Sequence, residues 1–168
     1  LGQMILGKKV LGPVTAAQVP EGAVAVIAIG DNRARQAVAE RLTVPYASVI
    51  HASAIVHESV TIGEGSVIFA GAIIQPDSVI GAHAIVNTGA SIDHDNRIGA
   101  FAHVAPGAHL SGSVSVGEGA LIGIGTAIIP GMSVGEWAIA GAGSAVVANV
   151  PAGATVGGTP ARPLSKEK

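Results

Sequence analysis

The chain has 168 residues, of which 49% are apolar but only 2% aromatic, with 24 glycines and a formal charge of −2. A core almost without rings must be filled by Ile, Val, Leu and Ala, which calls for a thin and regular interior. No apolar run approaches the roughly 18 residues that span a bilayer, and no run of Lys or Arg offers a track for a nucleic-acid backbone. The absence of cysteine excludes a thiol nucleophile, a disulfide framework and a thiolate metal site together. No signal peptide is recognisable, so a cytoplasmic location is expected.

Residues 1–48 read as a partial α/β subdomain. The run from Ala23 to Ile29 (A-V-A-V-I-A-I) is apolar over a strand's length. Gly30-Asp31-Asn32 supplies a turn and a helix cap. Arg33 to Leu42 reads as helix, with Ala34, Ala37, Val38, Arg41 and Leu42 on one face, and Thr43-Val44-Pro45 ends it.

Residues 49–150 carry a repeat. Stepping by six from Ile50 gives Val56, Ile62, Ile68, Ile74, Ile80, Val86, Ile92, Ile98, Val104, Leu110, Val116, Ile122, Ile128, Val134, Ala140 and Val146, with one alanine among the branched aliphatics. Two residues before most of these lies a small side chain: Ala54, Ser66, Ala72, Ser78, Ala84, Ala90, Ala102, Ala108, Ala120, Thr126, Ala138, Ser144. Residues i and i−2 share a strand face, so each hexad is a short strand with one large and one small residue inward, then a bend. Gly63, Gly81, Gly99, Gly117, Gly123 and Gly135 fall near the bends, where a positive φ or a tight turn is needed. Three hexads close a triangular coil of 18 residues, and residues 50 to 146 give about five such coils. The hand of the coil does not follow from this pattern.

Within the repeat, Ser91-Ile92-Asp93-His94-Asp95-Asn96 carries the clearest chemistry. With Ile92 inward, His94 and Asp95 fall on the next corner, where strict alternation lapses and both can face solvent. A carboxylate beside an imidazole favours the charged ring and fixes its tautomer. That suits a general base, although a corner that merely tolerates charge has the same composition. His103 precedes inward Val104 and so faces outward, as a functional or an interface residue. His51, His57, His83 and His109 have no comparable partner and read as surface residues or stacked polar columns.

Residues 151–168 form a tail. Val156-Gly157-Gly158-Thr159-Pro160-Ala161-Arg162-Pro163 marks the end of the coil, since proline cannot join a ladder. Arg162, Lys166 and Lys168 are candidates to meet a phosphate, or make an ordinary solubilising tail.

The unbroken hexads together with V-G-G-T-P-A-R resemble the hexapeptide-repeat acyltransferases. The segments I-A-I-G-D-N, R-x-R-Q and Y-A-S-V-I-H narrow the likeness to the PglD/NeuD type of sugar acetyltransferase. The resemblance covers the chain from about Val24 onward. It implies a mainly β fold, a left-handed parallel β-helix with a small, incomplete N-terminal α/β subdomain, acting as a homotrimer. It implies acetyl-CoA as co-substrate, no metal, and a nucleotide-linked 4-amino-4,6-dideoxy sugar as acceptor in surface-glycan synthesis. The family's I-x-H-[DE] corner falls on Ile92, His94 and Asp95, making His94 the general base and Asp95 its support. The polar stretch I-V-N-T places Asn87 and Thr88 at the acceptor pocket. His103 falls where the family has a second histidine near the thioester. The Gly112 N–H falls where an amide stabilises developing negative charge. Gly123, Gly125 and Gly141 fall along the pantetheine track, and Arg162 in the terminal motif.

In one respect the sequence departs from the family, which opens on a strand and a G-x-G-G-H turn that approaches the nucleotide diphosphate; residues 1–22 contain no such turn. Two other activities fit the same fold, O-acetylation of a sialic acid or related sugar and a γ-type carbonic anhydrase. The latter needs three imidazoles converging between subunits, and the spacing of His94, His103 and His109 does not point to it. A structural trimeric scaffold is a further alternative.

Overall fold

A computed structural model describes residues 3–14 and 20–164. From Val49 onward the chain climbs a three-sided prism of short parallel strands. The first wall pairs Val49, Val67, Ile85, His103, Leu121, Ile139 and Thr155 in succession. The second pairs Ile55, Ile73, Ser91, His109, Ala127 and Ala145. The third pairs Thr61, Val79, Arg97, Ser115 and Ser133. These residues point outward, and the aliphatic after each points in. From Ile68 to Val146 every sixth residue is between 0% and 3% exposed, and the small column beside it is sealed as well. Each buried Ile or Val contributes at most ~1.5–3 kcal/mol before chain entropy is set against it. The lowest turn packs from one side only, so Ile50 remains 49% exposed.

The prism has about six turns, against the five expected. The repeat beat stops at Val146, but the walls go on, because the last turn is two residues short: Ile139 pairs with Thr155 and Val134 with Val150. Thr155–Gly157 thus continues the first wall inside the segment read as a tail. The chain then reverses around the cis Thr159–Pro160 peptide, and Arg162–Pro163 returns antiparallel to Val156–Gly157. Lys166 and Lys168 lie outside the described residues.

The bend glycines have a different reason from the one expected. The left-handed backbone conformation recurs every six residues, but three residues after each aliphatic: Gly65, Gly71, Asp77, His83, Gly89, Asp95, Phe101, Gly107, Ser113, Gly119, Gly125, Gly131, Trp137 and Gly143 all have φ near +60°. Gly63, Gly81, Gly99, Gly117, Gly123 and Gly135 do not. They are glycine because the next turn's backbone lies against them, and a Cβ on Gly81 would sit 2.5 Å from the Ala100 nitrogen. Close approach, not torsion, excludes a side chain there.

The N-terminal segment also departs from expectation. Met4–Ile5 and Lys8–Lys9 form a small antiparallel hairpin. Ala23 to Ile29 is not a regular strand: its sole ladder contact is an isolated bridge from Ala25 to Tyr46. Pro45, which accepts from the Ala25 N–H, has no N–H with which to extend the ladder. The helix runs Asn32–Arg41, capped by Asp31, whose carboxylate accepts from the Ala34 N–H at 2.8 Å. Its packed face is not the apolar one read from sequence. Ala34, Ala37 and Arg41 are exposed, while Arg35 is 1% exposed and Leu42 8%. The surface it meets is a column of outward-turned carbonyls, which an arginine can satisfy and an alanine cannot. No helix among the described residues is long and apolar enough to cross a membrane.

Candidate active site

The three corners of the prism repeat one geometry with different residues at the left-handed position. Between the second and third walls that position is Asp77, Asp95, Ser113 and Gly131. Here Ile92 points inward, the chain turns through Asp95 at φ 59°, and His94 stands on the outside. Its Nδ1 lies 2.7 Å from Asp95 Oδ2, with both side chains 58% exposed. The Nδ1–H donates to the carboxylate, which leaves the Nε2 lone pair free to take a proton. That hydrogen bond is the main cause raising the His94 pKa above its ordinary value, and the nearby charges of Asp93 and Asp95 push the same way.

Gly112 lies one turn above. A Cβ there would fall 2.6 Å from His94 Cε1 and 2.7 Å from Nε2, so glycine is what lets the imidazole rest against this corner. From inside, Asn96 holds the same turn. It is fully buried, and its Nδ2 reaches the carbonyls of Asp93 (2.8 Å), His94 (3.1 Å) and Ser111 (2.9 Å). Sequence reasoning missed it. The available signal was a carboxamide in a column otherwise mostly Ala, Ser or Thr, directly beneath the histidine.

The remaining candidates gather on the first wall. His103 lines a groove of about 690 Å³ with Gly30, Asp31, Asn32 and Arg33 of the N-terminal segment and with Gly123, Trp137, Ile139 and Gly141. Its Nε2 lies 3.0 Å from Asn87 Nδ2. Thr88 fixes that amide, since its backbone N–H (2.7 Å) and hydroxyl (3.3 Å) both donate to Asn87 Oδ1. Burial lowers the His103 pKa and the Arg35 charge lowers it further, while the Gly30 carbonyl opposes them. Gly123 and Gly141 form part of the groove wall, and a Cβ on Gly123 would come within 2.6 Å of the Ala140 carbonyl. Gly125 (φ 64°) turns the next corner facing open space. Arg162 is exposed on the terminal strand, where it pairs with Gly157 and donates to the Ala161 carbonyl.

Trp137 and Arg33 were not anticipated. The guanidinium of Arg33 lies 4.1 Å from the Trp137 ring centroid at the mouth of the groove. His109 is on the second wall, bonded to Ser91 at 2.8 Å. Among the described residues no three His, Asp or Glu side chains stand together as metal ligands.

One chain therefore holds two separate clusters. His94, Asp95 and Gly112 occupy a corner, and Asn87, His103, Gly123 and Gly141 occupy the first wall and its far edge.

No protein-family model matches the chain, and no match was found among curated proteins. Solved structures do match. The acetyltransferase domain of PglB from Neisseria gonorrhoeae FA1090, in complex with acetyl coenzyme A, is 39% identical with a TM-score of 0.92, over 98% of this chain and 82% of that one. PerB from Caulobacter crescentus, in complex with CoA and GDP-perosamine, is 43% identical with a TM-score of 0.80, over 83% and 69%. WeeI from Acinetobacter baumannii AYE is 30% identical with a TM-score of 0.89, over 97% and 81%. With identity at this level across most of both chains, the protein belongs to the hexapeptide-repeat sugar N-acetyltransferases.

Proposed function

We propose that the protein transfers the acetyl group of acetyl-CoA to the amine of a nucleotide-linked amino sugar, with His94 as general base. The observation that carries this is the His94–Asp95 pair, exposed at a corner and resting on a glycine. Two of the similar structures hold acetyl coenzyme A, or CoA with GDP-perosamine, which supports the same donor and acceptor class here.

The acceptor nitrogen attacks the thioester carbonyl and forms a tetrahedral intermediate. His94 Nε2 takes the proton that the nitrogen sheds. The C–S bond then breaks, and the imidazolium returns a proton to the departing sulfur, giving the amide and free CoA. The enzyme forms no covalent bond to the acyl group. Donors aimed at the carbonyl oxygen lower the barrier, a role we assign to the Asn87 amide and the Gly112 N–H.

The separation of the two clusters supports a homotrimer in which the His94 corner of one copy faces the His103 groove of its neighbour. Acetyl-CoA consumption measured against a panel of nucleotide-linked 4-amino sugars tests the activity, and no turnover with any of them would sink it. Subunit mixing tests the assembly. His94→Ala and Asn87→Ala chains, each nearly inactive alone, regain part of the activity when co-assembled only if one site draws on two copies.

A further inference from the structure

Arg33 and Arg35 stand two residues apart on the helix and are held in opposite ways. Arg35 is buried and its donors are taken up by the chain. Its Nε donates to the His83 carbonyl (2.8 Å), one terminal nitrogen to the carbonyls of Ile29 (2.9 Å) and Gly30 (3.3 Å), and the other to the Phe101 carbonyl (2.7 Å) and Asn32 Oδ1 (2.8 Å). Arg33 is exposed, and its guanidinium lies over the Trp137 ring, 4.1 Å from the centroid. Among the described residues it has no hydrogen-bond or carboxylate partner, the one ion pair being His94–Asp95. The ring face fixes the cation while its N–H donors stay free.

Two carboxylates of the same region are engaged elsewhere: Asp31 accepts from the Ala34 N–H (2.8 Å) and Glu118 from the Gln36 amide (3.1 Å). The groove beneath Arg33 has a different character. Leu121 and Ile139 line it along the first wall, with Ala105, Pro106, Ile124 and Ala142 beside them, and none of these carries a polar side chain. By register Leu121 stacks on His103 and Ile139 on Leu121. Trp137, two residues before Ile139, therefore stands two strand spacings, or ~10 Å, along the prism from His103. A ligand matched to this groove has one end at the imidazole, an arm of low polarity along the wall, and an anion at the guanidinium. A sugar laid there would face Leu121 and Ile139 with unpartnered hydroxyl groups.

We propose that Arg33, held on Trp137, binds the diphosphate of CoA, with the pantetheine arm along Leu121 and Ile139 and the thioester at His103. This deepens the acetyl-transfer reading and rests on it for the identity of the donor, but CoA binding is measured without any acceptor. A guanidinium suits the task, since its fork donates to two phosphate oxygens at once. The contact is remote from the reacting carbonyl and equal in ground and transition states, so it acts on KM and not on kcat.

The test is Arg33→Gln, which removes the charge from an exposed position, keeps a good helix former there and should leave the melting temperature unchanged. Calorimetry should show CoA binding weakened by roughly tenfold, as for the loss of a charged hydrogen bond. Binding of 3′-dephospho-CoA should weaken by the same factor, since it keeps the diphosphate. In turnover the KM for acetyl-CoA should rise at constant kcat, while kcat/KM for S-acetylpantetheine, which has no diphosphate, should be the same in both proteins. Arg33→Lys should recover part of the affinity. Unchanged CoA binding, or equal losses with acetyl-CoA and S-acetylpantetheine, overturns the proposal. So does a loss seen with CoA but not with 3′-dephospho-CoA, which would give Arg33 to the 3′-phosphate. A rise in KM for the nucleotide-linked acceptor in place of acetyl-CoA also overturns it, by giving Arg33 to the sugar's diphosphate. No turnover with any acceptor, alongside CoA binding that depends on Arg33, would support this site and count against the acetyl-transfer reading.

Discussion

Two corners of the same prism show how one backbone geometry is put to different uses. At the corner between the second and third walls the left-handed positions hold Asp77, Asp95 and Ser113, then Gly131; at the corner between the third and first walls they hold His83, Phe101 and Trp137, with Gly65 before them and Gly119 ahead of Trp137. A left-handed residue with a side chain costs roughly 1–2 kcal/mol, so each of the six is held by its surroundings. Asp and Ser suit the conformation, since short polar groups bond locally. At the second corner the cost is met by stacking. His83 and Phe101 lie parallel with centroids 5.1 Å apart, Tyr46 meets His83 edge-on at 4.6 Å, and Arg33 covers Trp137. That ring column and its carbonyls carry the N-terminal helix. The polar corner, left uncovered, carries the His94–Asp95 pair. The third corner, between first and second walls, has glycine throughout, at Gly71, Gly89, Gly107, Gly125 and Gly143.

If the polar corner is the reactive one, changes there should act on chemistry and leave folding nearly intact. His94→Ala should lower kcat by at least ~100-fold with acetyl-CoA binding by calorimetry nearly unchanged; full turnover would remove His94 from the mechanism. Gly112→Ala comes next. The atoms nearest its new methyl belong to the exposed His94 ring, so stability should stay within ~0.5 kcal/mol of wild type. The displaced imidazole should nevertheless cost ~10–100-fold in kcat/KM. A large drop in melting temperature would show instead that Gly112 is needed for packing.

Asp95→Asn should act through pH. Asparagine tolerates the left-handed turn, so the corner keeps its shape, but the carboxylate that raises the His94 pKa is gone. A general base must be unprotonated, so activity falls as pH drops through the His94 pKa. The acid limb of the kcat/KM profile should therefore lie above the usual imidazole range in the wild type and move to lower pH in the variant, with a weaker base and a lower plateau. An acid limb that does not move would detach Asp95 from the titration.

The hexads exposed the prism in advance because each inward position has a single physical demand, burial of a branched aliphatic in a slot repeated without a break. His94 and Asp95 were legible for a related reason, being charged neighbours immediately after an inward isoleucine. Arg35 was not, because helical periodicity rewards apolar faces and the surface it meets is polar backbone. Asn96 was hidden by its own column, where it stands as one more short inward residue, and only the three carbonyls around it show its purpose. The bend glycines were located correctly and explained wrongly, since sequence does not distinguish a glycine needed for torsion from one needed for clearance.

The ring corner yields the smallest effect and the finest distinction. Trp137→Gly restores the residue that the geometry prefers, relieving a backbone cost of ~1–2 kcal/mol. It gives up a cation–π contact of ~0.5–1 kcal/mol at a partly open site and the ring's packing over Gly119, where an added Cβ would be only 2.4 Å from the indole. The opposing changes nearly cancel, so the melting temperature should shift by no more than a few degrees. The groove loses one wall, however, and Arg33 loses the surface that holds it. KM for acetyl-CoA should rise a few-fold with kcat unchanged, as expected when binding is lost equally from ground and transition states. A fall in kcat at constant KM would place Trp137 with the reacting atoms and erase the division of labour between the two corners.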